Sequence, residues 1–311
     1  MGATMLSLQQ LVKKELATPV EPLVAEFGRH IAACFASTAR AVLFSGSALF
    51  SDELTNEILD YHLVVANYEA AYSTSRMAKW NHRLPPNIFL FEYEGMTAKV
   101  AILSEADFHS LNRPDASIAA IWARFAQPAR LVWSADEDAE KMVVRAVSGA
   151  APTLLNTALA YIEREVDVLD LWQSGFSLSF QAKLHLGGKD RPMNLVERNP
   201  QRYETLGRAA LHHTRIANQV RGEKVHILPD PERRISAERK RWPAFKRRGK
   251  MLSVAQLVKA GFTYKGGVDY LAWKVNRHHD KQITVRNWQR RWPLLGSIVL
   301  LPRLWMKSAA G

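Results

Sequence analysis

The stretch VLFSGSALFSDELTNEILDYHLVV, residues 42–65, decides the fold. A short apolar run stops at Gly46-Ser47, a polar loop follows, and a second apolar run carries one aspartate, Asp60. Two such runs separated by turn residues read as neighbouring strands. An acid inside an apolar strand costs desolvation energy unless a counter-charge or a metal offsets it. Strand, Gly-Ser, about a dozen residues, then a strand acid is the grammar of a phosphate-handling sheet. Glycine lets the backbone approach closely, a helix start following it would present N–H groups and its dipole, and a strand carboxylate suits Mg²⁺, a hard cation that takes oxygen ligands. On these grounds Gly46 and Ser47 are expected at a triphosphate and Asp60 at a metal. The second acid common in such strands is replaced by His62, which reads as structural. Glu92 and Glu94 are the strand candidates for a further metal acid, with Glu92 preferred.

Working outward, residues 1–40 read as one or two helices, the first within MGATMLSLQQLVKKELATPV and the next within VEPLVAEFGRHIAACFA. Beyond residue 65, residues 68–80 look helical. NIFLFEYE (87–94) and AKVAILS (98–104) read as a hairpin turning at Gly95. SIAAIWARFAQPARLVW predicts a helix stopped near Pro128 and then a short strand. Residues 136–220 read as mainly helical, and ILPDPERR (227–234) is the linker candidate. The expected fold class is α/β (α+β): a nucleotidyltransferase-like mixed sheet domain with N-terminal helices over 1–135. A mainly helical domain follows over 136–228, and a basic, Trp-rich part over 229–311.

The 311 residues are 47% hydrophobic, enough for a sizeable core, and the single cysteine, Cys34, excludes an internal disulfide framework. The net charge of +12 is concentrated: residues 231–311 hold 19 Lys and Arg against 4 Asp and Glu, and five of the nine tryptophans. Such a segment implies a polyanionic partner, membrane or nucleic acid. Its longest apolar run, PLLGSIVLLP (293–302), is too short to span a bilayer. It suits an interfacial position flanked by Arg290, Arg291, Trp292, Arg303 and Trp305.

Several stretches in order carry a likeness: FSGSALF, ILDYHLVV, NHRLPPNIFLFEYEG, AKVAILS, WARFAQPARLVW, FSLSFQAKLHL, NPQRYETL and KAGFTYKGGVDYLAWKVNRH. Across residues 41–292 the chain resembles the mitochondrial-type phosphatidate cytidylyltransferases (the translocator assembly and maintenance family) and their bacterial relatives. The resemblance implies a reaction of CTP with phosphatidic acid to give CDP-diacylglycerol and pyrophosphate, with Mg²⁺. It implies a cytoplasmic enzyme held peripherally on the inner face of the inner membrane. By position it gives Asp60, Lys99 and Arg124 catalytic roles, with Gly46, Ser47 and Lys99 at the nucleotide and Asp60 at the metal. It also implies one acid rather than two in the LDY strand. The chain departs from the family pattern in two places. Lys183 and His185 stand where relatives carry Glu-x-Arg, in what is expected to be a strand, FQAKLHL, and Ser45 replaces an aromatic residue. A nucleotidyltransferase acting on RNA or protein, and a non-catalytic lipid- or partner-binding descendant, are the alternatives.

Overall fold

Asp60 lies in β2 (Ile58–Val65), an inner strand of a five-stranded mixed sheet ordered β3-β4-β2-β1-β5. The other members are β1 (Ala39–Ser45), β3 (Asn87–Tyr93), β4 (Met96–Ser104) and β5 (Ala129–Ser134). The computed structural model describes residues 6–263 apart from 52–53, 55–56, 183–190 and 231–232. β2 runs parallel to β4 and antiparallel to β1, and every other pairing in this sheet is antiparallel. The β3–β4 hairpin turns at Glu94 and Gly95, with φ of 45° and 76°, the conformation that two-residue hairpin turns demand. Between β2 and β3 come α3 (Tyr68–Ala71) and α4 (Ser75–Arg83), two short helices in place of one.

Alternation along the strands sorts the side chains onto two faces. Val42, Phe44, Leu59, Tyr61, Leu63, Val100 and Ile102 point to one side and pack with Val24, Phe27 and Ile31 of α2 (Pro22–Ala33). The Tyr61 hydroxyl donates to the Val24 carbonyl at 2.8 Å, tying sheet to helix. Gly28 is required here, because a Cβ would stand 2.5 Å from Val132 Cγ2. Leu43, Val64 and Leu103 point the other way into a larger core that includes Trp122, Leu154, Trp172, Phe176 and Tyr203.

That larger core is helical. α5 (Glu105–Ser110) and the single turn α6 (Trp122–Phe125) precede β5, and α7 (Glu137–Ser148), α8 (Ala150–Leu159) and α9 (Val168–Gln181) follow it. α10 (Arg191–Glu197) and α11 (Pro200–Leu211) complete the layer. α1 (Leu8–Leu16), expected with the sheet domain, buries Leu8, Val12 and Leu16 in this same core. A small second sheet, ordered β6-β8-β7, was not anticipated in the sequence: β6 (Glu165–Asp167), β7 (Asn218–Arg221) and β8 (Lys224–Ile227). Phe180 and Gln181 end α9, so the start of FQAKLHL is helix and not the expected strand.

The linker at 227–234 leads into α12 (Arg234–Thr263). Trp242 and Phe245 of this helix are buried and stack with ring centroids 5.0 Å apart, so Trp242 is a packing residue. Lys259, buried, sets its ammonium among the carbonyls of Leu84 at 2.6 Å, Trp80 at 3.4 Å and Pro86 at 3.5 Å. Burial pushes its pKa down to about 7. No helix among the described residues is long and apolar enough to cross a membrane. Arg290, Arg291, Trp292, Arg303 and Trp305, like Lys183 and His185, lie outside the described residues.

α12 meets the helical layer without room to spare, since a Cβ on Gly249 would land on the Ala182 carbonyl oxygen. Helix propensity alone favours alanine over glycine by about 1 kcal/mol. A backbone obstacle cannot rotate away, so overpacking should win and Gly249→Ala should lose about 1–2 kcal/mol net. Urea denaturation checks the sign: a raised midpoint would mean that α12 does not pack on Ala182.

Candidate active site

The register puts the site residues side by side. Ser45, the last residue of β1, pairs with Asp60, and Asp60 pairs with Lys99 of β4. Asp60, Ser45 and Lys99 therefore project from the face that the helical layer covers. The next residue of β2 on that face, His62, is buried with its ring edge-on to Phe125 at 4.9 Å, the structural position expected for it. Asp60 is thus the last charged acid on this face before His62 and the core beyond it.

Two cations converge on its carboxylate. Lys99 Nζ forms an ion pair with Oδ1, and Arg124 Nη2 stands 3.5 Å from Oδ2. Burial pushes the Asp60 pKa upward, but the charges of Lys99 and Arg124, with the Lys99 hydrogen bond and a smaller contribution from His62, outweigh it. The carboxyl is held well below the usual carboxylate range and is ionised at neutral pH.

Gly46 closes the third side. Its φ of 101° lies in the left-handed region, and a Cβ there would stand 2.8 Å from Asp60 Oδ2. Glycine is needed for both reasons. The close approach it permits is to the Asp60 carboxylate. Ser47 is exposed and opens a 3-10 turn, Ser47–Phe50. Phe50, ending that turn, is 48% exposed, with the Arg198 guanidinium 5.9 Å above its ring.

Arg124 sits on α6, which is too short to hold itself, and its support comes from the far side of the helical layer. Arg202 of α11 donates to the Ala126 carbonyl at 3.1 Å, immediately after α6, and pairs with Glu15 of α1 through Nη2 at 2.9 Å. Arg202 and Arg198 had no place in the sequence-based site. NPQRYETL is one of the stretches carrying the likeness, and its arginine, Arg202, was the available signal.

Glu92 is placed differently. It is exposed on β3, opposite Thr97 and not opposite Lys99. It lies two strands from β2, about 10 Å at ordinary strand spacing, and further along the sheet. Among the described residues no group of three or more His, Cys, Asp or Glu side chains forms a metal site. The carboxylate described here, Asp60, is already engaged by two cations. These donors do not fit a divalent cation, which takes several oxygen ligands. The site as built, one acid against two bases, carries a net positive charge and suits a phosphoryl group. Asn81 and His82, which open the stretch NHRLPPNIFLFEYEG, lie in α4: Asn81 is buried, donating to the Ile102 carbonyl, and His82 pairs with Glu69.

The class these features define is a mixed α/β protein with one acid and two cations gathered at the end of its main sheet. No protein-family model matches the chain, and no curated protein matches it. Among solved structures it is similar to a nucleotidyltransferase-like protein from Exiguobacterium sibiricum 255-15, at 9% identity and a TM-score of 0.28, over 90% of this chain and 89% of that one. A likeness of that size carries no argument, and the chemistry rests on the residues themselves.

Because the folded-state pKa of Asp60 is depressed, its contribution to stability is present above the unfolded value near 4 and is lost as pH falls below it. Asp60→Asn leaves Lys99 and Arg124 facing one another and should cost about 2 kcal/mol at neutral pH, less than in a fully buried pair because each side chain keeps some water. Urea midpoints of wild type and variant should keep their separation down to about pH 5 and draw together progressively as the pH falls through about 4 and below. Parallel curves would show that the carboxylate is not held in its ionised form by these partners.

Proposed function

We propose that the chain is a nucleotidyltransferase that joins CTP to the phosphate of phosphatidic acid, giving CDP-diacylglycerol and pyrophosphate, at an anionic membrane surface. One observation carries the proposal: the β1 turn at Gly46 lies against Asp60 while Lys99 and Arg124 converge on the same carboxylate. The ordered sequence likeness over residues 41–292 supports the choice of nucleotide and acceptor. In this reaction an ionised oxygen of the phosphatidate phosphate attacks the α-phosphorus of CTP. The bond to the bridging oxygen breaks, and pyrophosphate leaves with the electron pair. The nucleophile is already an anion, so no general base is required. Lys99 and Arg124 would hold the phosphoryl oxygens and stabilise the charge that builds on them, with Asp60 fixing the positions of both cations. Mg²⁺ enters as the counter-ion of the nucleotide substrate, and no step is assigned to a protein-held metal.

The basic C-terminal part supports the membrane surface as the place of reaction. In α12 Lys240, Arg247, Arg248 and Lys250 are exposed, whereas Trp242 and Phe245 face inward. A second proposal, a phosphate- or lipid-binding protein without transferase activity, is favoured by the same ion pairs. An Asp60 neutralised by Lys99 and Arg124 is an incomplete metal acid.

Purified protein given MgCTP and phosphatidic acid vesicles should release pyrophosphate, and Lys99→Ala should lower the rate by about a hundredfold or more. Absence of pyrophosphate release from the wild type, beside an active reference cytidylyltransferase, would remove the transferase in favour of the binding protein.

A further inference from the structure

Phe50 is a large aromatic side chain left 48% exposed at the end of the turn that begins at Ser47. A single exposed aromatic residue is ordinary on a protein surface. This one is set apart by its position and its companion. Its turn follows Gly46, where a Cβ would stand 2.8 Å from Asp60 Oδ2, and a 3-10 turn rises about 2 Å per residue, so Phe50 lies about 6 Å along the turn from Ser47. Its companion is Arg198, contributed by the segment between α10 and α11, which places a guanidinium 5.9 Å from the ring centroid. The turn after β1 and the helical layer therefore each supply one flat group to the same spot, four residues along the chain from Gly46.

We propose that Phe50 and Arg198 form a nucleobase clamp, with the base stacked on the Phe50 ring and Arg198 donating to its acceptor edge. The inference rests on the nucleotidyltransferase proposal and names the part of the site that takes the nucleoside. Bases stack on any aromatic face, and an arginine adds cation–π attraction. The guanidinium has donors only, which match the O2 and N3 acceptors of cytosine. Phosphate affinity would then come from Lys99 and Arg124, and nucleoside affinity from Phe50 and Arg198.

The test separates the two halves of the ligand by calorimetric titration of the full chain with CTP and, separately, with tripolyphosphate, which has the charged tail and no nucleoside. Phe50→Ala should weaken CTP binding about ten- to a hundredfold and change tripolyphosphate binding by less than about twofold. Phe50→Tyr should bind CTP as the wild type does, Arg198→Ala should weaken CTP alone, and Lys99→Ala should weaken both ligands. Unchanged CTP binding in Phe50→Ala, or equal loss of both ligands, overturns the clamp while leaving the cationic centre in place. A wild type that binds neither ligand overturns the nucleotide-dependent function as well.

Discussion

The site depends on one carboxylate held between two cations from different parts of the chain. Asp60 belongs to an inner strand of the sheet, Lys99 to the parallel strand beside it, and Arg124 to a single helical turn after β4. Removing water from a lone aspartate at this position would be costly, and the two neighbours reverse the balance. The same arrangement fixes the geometry of the cations, which would otherwise repel one another. Gly46 completes it, since only a residue without a side chain lets the β1 turn close over the acid.

The sheet separates two jobs by face. One face is mainly apolar and packs with α2, with Tyr61 hydrogen-bonded to the helix backbone. The other is apolar only where the helical layer covers it, and at its end it carries Ser45, Asp60 and Lys99. His62 marks the boundary, a polar ring packed into aromatic surroundings between the acid and the core. Burial on one face thus provides the rigidity that polar chemistry on the other requires.

Much of the sheet was legible in the sequence, because its strands are long, apolar and separated by turn residues. ILDYHLVV is β2 without change of boundary, and the turn at Gly95 is where the hairpin reading puts it. Asp60 was legible as an acid in need of a partner. That the partner is Lys99 follows from a parallel register that no local pattern reveals. The three strands of the small sheet, EVD, NQVR and KVHI, are too short for alternation to register. SIAAIWARF reads as a long helix, yet only residues 122–125 adopt one, because its apolar residues are buried on all sides and packing overrides periodicity. Phe50 and Arg198 meet across nearly half the chain, a pairing that spacing cannot disclose.

The support beneath α6 sets an order of events during synthesis. Glu15 and Arg202 are 187 residues apart, and Arg202 also holds the backbone at Ala126. The sheet that carries Asp60 and Lys99 is complete once β5 has emerged, but the brace for Arg124 does not exist until α11 has been made. A nascent chain therefore displays its acid and its lysine well before its arginine is locked in place. Contacts of such long sequence separation form late because closing the intervening loop must come first. The centre ripens only when both ends of the helical layer have met.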